Sequence, residues 1–472
     1  MDLSEPAERE TWRSYLGEPF TDRLVICGFG PLAGYPSSVT LLQSVGSRKP
    51  LLVVSGRGAG PVPTEADADI VYLELPRFPS MTEELRQHGH LARNLPPQVV
   101  TAVEAYDPAG EAVWFLSPFV VNEPVLGRPV LGGRPASWLA LEDKIVAEEI
   151  WEAIGYPHAP SRIVEVNPSA LHEATLGLDD GAGTVWTGDA RSGFNGGGDF
   201  VRWVLTPEEQ EAAFAFFATH CDRVRMMPFL DGVPCSVHGI VLPDGTAAFR
   251  PVELAIMRDP EKRRFVYGGQ GSFWDPPDDD REQMRDLVRR TGEDLRARID
   301  YRGAFGIDGV LTRDGFRPTE INTRLAAGLV GLASGLDVAL FTLLQTNQLA
   351  GRDPKIRVDE LESWALTAFD AERFGRALAV TDRVAVDDSQ DIPVVWNGVM
   401  LTRCETGDAN MNLVVGPSAM GIYARLTPSG GLAKGDRIGP LNVAMMRFLD
   451  EELGTGFGPV EAAPDVRPRA AH

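Results

Sequence analysis

Residues 303–328, GAFGIDGVLTRDGFRPTEINTRLAAG, constrain the chain more than any other stretch. Two strand-like runs flank an Asp314-Gly315 turn, which predicts a β-hairpin. Side chains on a strand alternate between faces, so Glu320 and Asn322 share one face of the second run. Folding back about the turn brings Asp308, on the first run, opposite positions 320–322. Three oxygen-bearing side chains then converge, a donor set suited to Mg²⁺ or Mn²⁺ with substrate phosphates completing the coordination. Arg324 follows at the same parity and reaches past this cluster toward a bound anion. An exposed polar hairpin accounts for Asp308 alone, but not for the four residues together.

This segment resembles the metal-binding hairpin of the ATP-grasp superfamily, which ends in Glu-x-Asn-x-Arg with an acidic residue about a dozen positions upstream. Here the interval is 320 − 308 = 12. Other landmarks of the family follow in order, so the resemblance covers roughly residues 136–345. It implies that Lys144, in LALEDKIVAEEIWEAIG, lies on a helix and contacts an ATP phosphate. Lysine otherwise occurs only at 49, 262, 355 and 434, so a lysine inside a motif is informative. The resemblance also implies a glycine-rich loop that folds over the phosphates, found in GTVWTGDARSGFNGGGDFVRWV. There Gly193, Gly196, Gly197 and Gly198 let backbone N–H groups approach phosphate oxygens. The family's second lysine, on the strand before that loop, is missing: Trp186 and Thr187 stand in that region, and Arg191 is the expected substitute. A hinge is implied at MMPFLDG, with Met227, Pro228, Phe229 and Leu230 around the adenine. Arg258, ending VELAIMR, corresponds to a cation that works with Arg324 on the transferred phosphate or the substrate. His238 could do similar work, although a lone strand histidine is more often structural.

Upstream, DRLVICGFGPLAG reads as a buried strand entering a glycine turn, SSVTLLQSVG as a helix and KPLLVVSGRGAG as a second strand. Strand–helix–strand at this spacing is an α/β unit with a parallel sheet. Gly28, Gly30 and Gly34 miss the dinucleotide fingerprint by one residue, and no acidic residue closes the second strand, which favours a plain tight turn. The Gly- and Pro-rich stretch 122–138 reads as a connection between domains. The expected fold class is therefore α/β (α+β) in three parts. These are an N-terminal α/β pre-grasp domain at 1–135, a two-lobed ATP-grasp domain at 136–345 and a C-terminal α+β module at 346–472. The lobes divide into a lid part at about 144–225 and a metal and ATP part at about 226–345. Short strands, many glycines and a closing helix near LNVAMMRFLDEEL mark the last module.

Charge and composition remove other classes. A net charge of −22 argues against a nucleic-acid partner, because phosphate backbones need a basic face. No run of eighteen apolar residues is present to span a membrane. The N-terminus is acidic and polar where a signal peptide would be basic and then apolar. Cys27, Cys221, Cys235 and Cys404 are scattered without ligand or disulfide spacing, and a reduced, cytoplasmic protein is expected.

The resemblance implies an ADP-forming ligase that uses ATP and Mg²⁺ and passes through an acyl-phosphate. Its partners would be a small-molecule carboxylate and an amine, with amino acids or a small peptide of bacterial specialised metabolism expected, in a homodimer. Alternatives are another ligase or carboxylase of the superfamily acting on a small carboxylic acid, and a nucleotide sensor without turnover. The missing second lysine favours the sensor; the retained metal ligands oppose it. A dinucleotide-dependent oxidoreductase leaves Glu320 to Arg324 unexplained.

Overall fold

Val25–Gly28 (β1) and Leu51–Val54 (β2) are buried at every position, as strands covered on both faces must be. With Asp69–Tyr72 (β3), Val113–Leu116 (β4) and Val130–Leu131 (β5) they form a five-stranded sheet in the order β3-β2-β1-β4-β5. Every pairing in it is parallel. Helix α1 (Pro36–Ser44) follows the turn after β1 and starts with proline, whose missing N–H costs nothing there. Helix α2 (Met81–Arg93) starts at Ser80, whose hydroxyl accepts the Glu83 N–H. The structure is a computed structural model that describes residues 1–191 and 193–467. Ser192, within the expected glycine-rich loop, and 468–472, at the end of the expected C-terminal module, lie outside the described residues.

The long helix expected from LALEDKIVAEEIWEAIG is interrupted. It appears as a 3₁₀ turn at Ala140–Glu142 and a short helix α3 (Ala147–Ala153). Asp143 is extended, with φ −68° and ψ 118°, and its carboxylate accepts the Ile145 N–H at 3.3 Å. Such a local bond offers the backbone an alternative to the helix, and it leaves Lys144 in the gap. A four-stranded antiparallel sheet follows, built from Arg162–Glu165 (β6), Thr184–Gly188 (β7), Val201–Val204 (β8) and Arg223–Pro228 (β9). Its order is β6-β9-β7-β8, and the glycine-rich loop joins β7 to β8.

Twelve strands make the third sheet. Its first six are Val233–Leu242 (β10), Gly245–Ala248 (β11), Val252–Asp259 (β12), Arg264–Gly271 (β13), Gly303–Thr312 (β14) and Gly315–Asn322 (β15). The others are Gly375–Thr381 (β16), Gln390–Trp396 (β17), Leu401–Arg403 (β18), Met411–Ser418 (β19), Gly421–Pro428 (β20) and Glu461–Ala462 (β21). The path runs β15-β14-β10-β12-β13-β16-β20-β19-β17-β18, with β11 beside β10 and β21 beside β12. AAFRPVELAIMRD is divided between two strands: β11 stops at Ala248, and Pro251 has no N–H for a ladder. Helix α4 (Asp278–Ile299) covers one face with Met284, Leu287, Val288 and Leu295, and carries three aspartates in its first turn and two arginines in its last.

The expected boundary at 345/346 falls inside helix α5 (Val338–Leu349). Beyond it the same sheet continues, because Gly269, Gln270 and Gly271 of β13 pair with Ala377, Arg376 and Gly375 of β16. The N-terminus of the closing helix α6 (Ile438–Leu453) is fixed by Glu253 of β12, which accepts the Ile438 and Gly439 N–H groups at 2.7 and 3.1 Å. No helix among the described residues is long and apolar enough to cross a membrane.

Candidate active site

The hairpin β14–β15 turns through Arg313 and Asp314, with Gly315 opening the second strand at φ 100°. Near the tip the ladder is regular: Thr312 faces Gly315 and Val310 faces Arg317. Between Asp308 and Gly309 it shifts by one residue, leaving Thr319 as an unpaired bulge. Past the bulge Asp308 lies directly opposite Glu320, and Gly306 opposite Asn322. Directly opposed residues share a face, so the three expected donors do converge. Asn322 Nδ2 donates to Asp308 Oδ2 at 2.9 Å, and Glu320 forms an ion pair with Lys144. Ile307 and Ile321, on the opposite face, join the apolar core under α4.

Charges are concentrated here away from solvent. Burial pushes the Asp308 carboxyl up, while Ser236, Lys144 and Arg324 pull it back only in part. Burial also pushes the Lys144 ammonium down to about 8, against the opposing field of Asp308. Arg324 forms an ion pair with Glu142 and lies over the rings of Phe119 and Phe194, at 4.8 and 5.6 Å. Burial works to raise the Glu142 carboxyl, yet Arg324 and Arg134 together hold it below its ordinary value. Two carboxylates and an amide oxygen on one strand face fit a hard divalent cation that takes its remaining ligands from phosphate and water.

Asp308, Glu320, Asn322, Lys144, Glu142 and Arg324 open into one cavity of about 420 Å³. Gly196, Gly197 and Gly198 form part of its wall, the last two at φ 63° and 79°, a region glycine enters without strain. The loop is fastened from outside by α2. Thr82 Oγ1 donates to Gly196 O at 3.0 Å, and Arg86 donates to Phe194 O at 2.9 Å and to Asn195 Oδ1 at 2.6 Å. At the other end Met227, Phe229 and Leu230 line the cavity, and Phe229 stacks on Trp203 with ring centres 4.3 Å apart. Pro228, expected beside them, does not reach the cavity wall.

No family model matches the chain, and no curated protein sequence does. Solved structures do. A carboxyaminoimidazole ribonucleotide synthase from Aspergillus clavatus, complexed with ATP, aligns over 94% of this chain and 100% of its own, at 13% identity and TM-score 0.50. The biotin carboxylase domain of 2-oxoglutarate carboxylase from Hydrogenobacter thermophilus, complexed with MgADP and bicarbonate, covers 92% of this chain and 90% of its own, at 14% identity and TM-score 0.54. The Thermotoga maritima phosphoribosylamine–glycine ligase covers 87% and 90%, at 16% identity and TM-score 0.51. The chain has the ATP-grasp fold. At these identities the likeness is one of fold.

Within the ATP-grasp fold two expected cations are elsewhere. Arg191 points away from the cavity: it pairs with Asp222 at 3.1 Å and donates to Thr219 O at 2.6 Å, both on the α/β surface. Its place is taken by Arg225 of β9, 2% exposed, which lines the cavity and donates to Lys144 O at 2.9 Å and Thr319 O at 2.6 Å. Its Nε has no partner. Sequence alternation held a usable signal, since Arg225 and Met227 are two apart and Arg225 pairs with Thr187, where the lysine is missing. Arg258 does line the cavity, but at the base end. It pairs with Asp231 at 2.7 Å and lies 4.8 Å from the Phe229 ring. Val252 and Asp308 both pair with Ser236, so Arg258, six residues beyond Val252, stands ~20 Å along the strand from the hairpin carboxylates. His238 is held between Gly306 and Gly328, where added Cβ atoms would come within 3.0 and 2.3 Å of its ring. Its Nε2 lies 3.2 Å from Ser236 Oγ, and burial pushes it down to about 3, so it is a neutral packed group.

Proposed function

We propose that the protein is an ATP-dependent ligase that joins a carboxylate to an amine. The observation that carries this reading is the shared face of Asp308, Glu320 and Asn322 on the β14–β15 hairpin, with Lys144 paired to it inside a cavity roofed by glycines. Carboxylates are poor electrophiles, because direct amide formation would expel oxide. In the proposed reaction a carboxylate oxygen attacks the γ-phosphorus of ATP, the bond to the bridging oxygen breaks, and ADP leaves. The amine nitrogen then attacks the acyl carbon, phosphate leaves, and the surplus proton passes to solvent.

The chain's own groups serve this sequence electrostatically, with no protein nucleophile. Lys144 leaves Glu320 to meet the phosphates, and Arg225 holds its backbone in place through the Lys144 carbonyl. Arg324, held by Glu142 between two aromatic rings, faces the developing charge on the transferred group. Gly197 and Gly198 bring backbone N–H groups over the phosphates, while the Gly196 N–H is tied to Thr82 Oγ1, and the loop keeps water from the acyl-phosphate. Mg²⁺, held by Asp308, Glu320 and Asn322, would neutralise charge on the phosphate oxygens. Phe229, Met227 and Leu230 form an apolar seat for the adenine, with Arg258 closing that end by way of Asp231. A solved structure of the same fold is a phosphoribosylamine–glycine ligase, which supports an amino acid or small peptide as substrate.

Incubation with ATP, Mg²⁺ and pools of amino acids tests the reading. ADP and phosphate released with a particular pair, and lost in Glu320→Ala, support it. Release of AMP and pyrophosphate overturns it.

A further inference from the structure

A second cavity, of about 320 Å³, lies between the turn after β1, the end of β4 and helix α5. Its polar groups come from Tyr35, Ser38, His88, Ser117, Thr342, Gln345 and Thr346, and no Lys, Arg, Asp or Glu lines it. Burial pushes His88 down to about 4, so it too is neutral near pH 7.

The hydrogen bonds already made in this cavity leave donors free. Gln345 is 7% exposed, and its Oε1 accepts the Ala304 N–H at 2.7 Å. That bond fixes the amide and leaves its buried Nε2 without a partner. Leaving such a donor unpaired costs about 1–3 kcal/mol. Helix α1 opens beside it with an uncapped N-terminus: Tyr35, at the cap position, offers no side-chain acceptor. The N–H of Ser38, in the first turn, has no acceptor within the helix. The Tyr35 hydroxyl accepts from the Gly30 N–H at 3.0 Å and so keeps its own proton to give. Helix end, amide and hydroxyls together call for a ligand group that only accepts. A helix N-terminus supplies roughly half a positive charge, which suits a monoanionic carboxylate and under-compensates a phosphate dianion.

The two cavities share a wall. Pro118 and Leu325 face the smaller one, while their chain neighbours Phe119 and Arg324 face the larger. A small ligand anchored in the first therefore lies one residue's thickness from the Arg324 end of the second. We propose that the smaller cavity seats the carboxylate of the amine-bearing co-substrate, an amino acid, and directs its amine toward Arg324. The identity of that ligand as co-substrate rests on the ligase reading above.

Saturation-transfer NMR on the full chain, with Mg²⁺ and a non-hydrolysable ATP analogue present, tests this with the proteinogenic amino acids, their carboxamides and inorganic phosphate as probes. At least one free amino acid should bind, with its carboxamide roughly tenfold weaker or worse. Gln345→Glu keeps the acceptor for the Ala304 N–H but places a negative oxygen where Nε2 was, and it should weaken amino-acid binding roughly tenfold or more. Ser38→Asp should do the same from the first turn of α1, where an aspartate favours the helix and preserves the fold. Equal binding of acid and carboxamide, unchanged binding in both variants, or displacement by phosphate in preference would overturn the proposal. Nucleotide binding with no amino-acid binding would also overturn it while leaving the ligase reading intact. Amino-acid binding without nucleotide binding would sustain the seat and sink the ligase reading instead.

Discussion

The two ends of the large cavity are built on opposite principles. At the hairpin end Asp308, Glu320, Lys144, Glu142 and Arg324 are withdrawn from water and compensate one another. At the base end the wall is apolar, with Phe229, Trp203 and Phe265 stacked and two guanidiniums laid over the rings, Arg258 on Phe229 and Arg263 on Trp203. Buried charges are costly unless paired, so the first end is held by partners it must exchange when a ligand arrives. The second end exchanges nothing; it is a surface already shaped for a flat ligand. Chemistry and recognition are thus separated between the two ends of one cavity.

Mutations should separate the two ends. Glu320→Ala removes a carboxylate from the paired set and should lower turnover roughly 10³-fold or more, read as ADP release, with adenine binding retained. Glu142→Ala leaves Arg134 and Arg324 buried without their shared anion and should cost about 3 kcal/mol of stability, visible as a lower Tm; an unchanged Tm would refute the view of a mutually compensated end. Phe229→Ala should weaken the nucleotide by about 1–3 kcal/mol, raising KM for ATP and leaving kcat nearly constant. A comparable fall in kcat would mean the ends are not separable.

The small cavity, neutral and polar, adds a third case, read through pH. His88 is held at about 4 in the folded chain, below its ordinary value of 6.5, so the unfolded chain takes up a proton first as pH falls. Stability contributed by neutral His88 is therefore whole above about pH 6.5 and is lost progressively on the way down to about 4. Denaturant titrations of the wild type and His88→Asn across that window should converge at the acid end.

The difference between the ends also explains what could be read in advance. Glu320 and Asn322 were legible as a pair because their relation is local, a two-residue period on one strand, whereas Asp308 joins them only through the bulge at Thr319, which no residue pattern announces. The N-terminal parallel unit was legible for the same reason, as an apolar run, a glycine turn and a second apolar run. Lys144 was placed on a helix because LALEDKIVAEEIWEAIG has helical composition, but a single Asp143 side-chain bond interrupts it. Arg191 lies off the cavity wall and Arg258 at its base end, because charge and motif order do not say which way a side chain turns. Asp222 and Asp231 capture them, each a partner distant in sequence. The continuity of the large sheet into the C-terminal strands rests on three pairings across more than a hundred residues, and no local pattern encodes it.

The bulge at Thr319 makes counting along the hairpin deceptive. Measured from the tip on a regular ladder, Asp308 would face Thr319, Glu320 would turn with Ile307 toward α4, and Ile321 would enter the cavity. One supernumerary residue therefore works as a phase correction between a turn that sets length and a site that needs the opposite parity. Anyone transplanting these strands to another scaffold must carry that irregularity with them. A tidied copy with the same residues and an unbroken ladder would present an isoleucine where the carboxylate belongs.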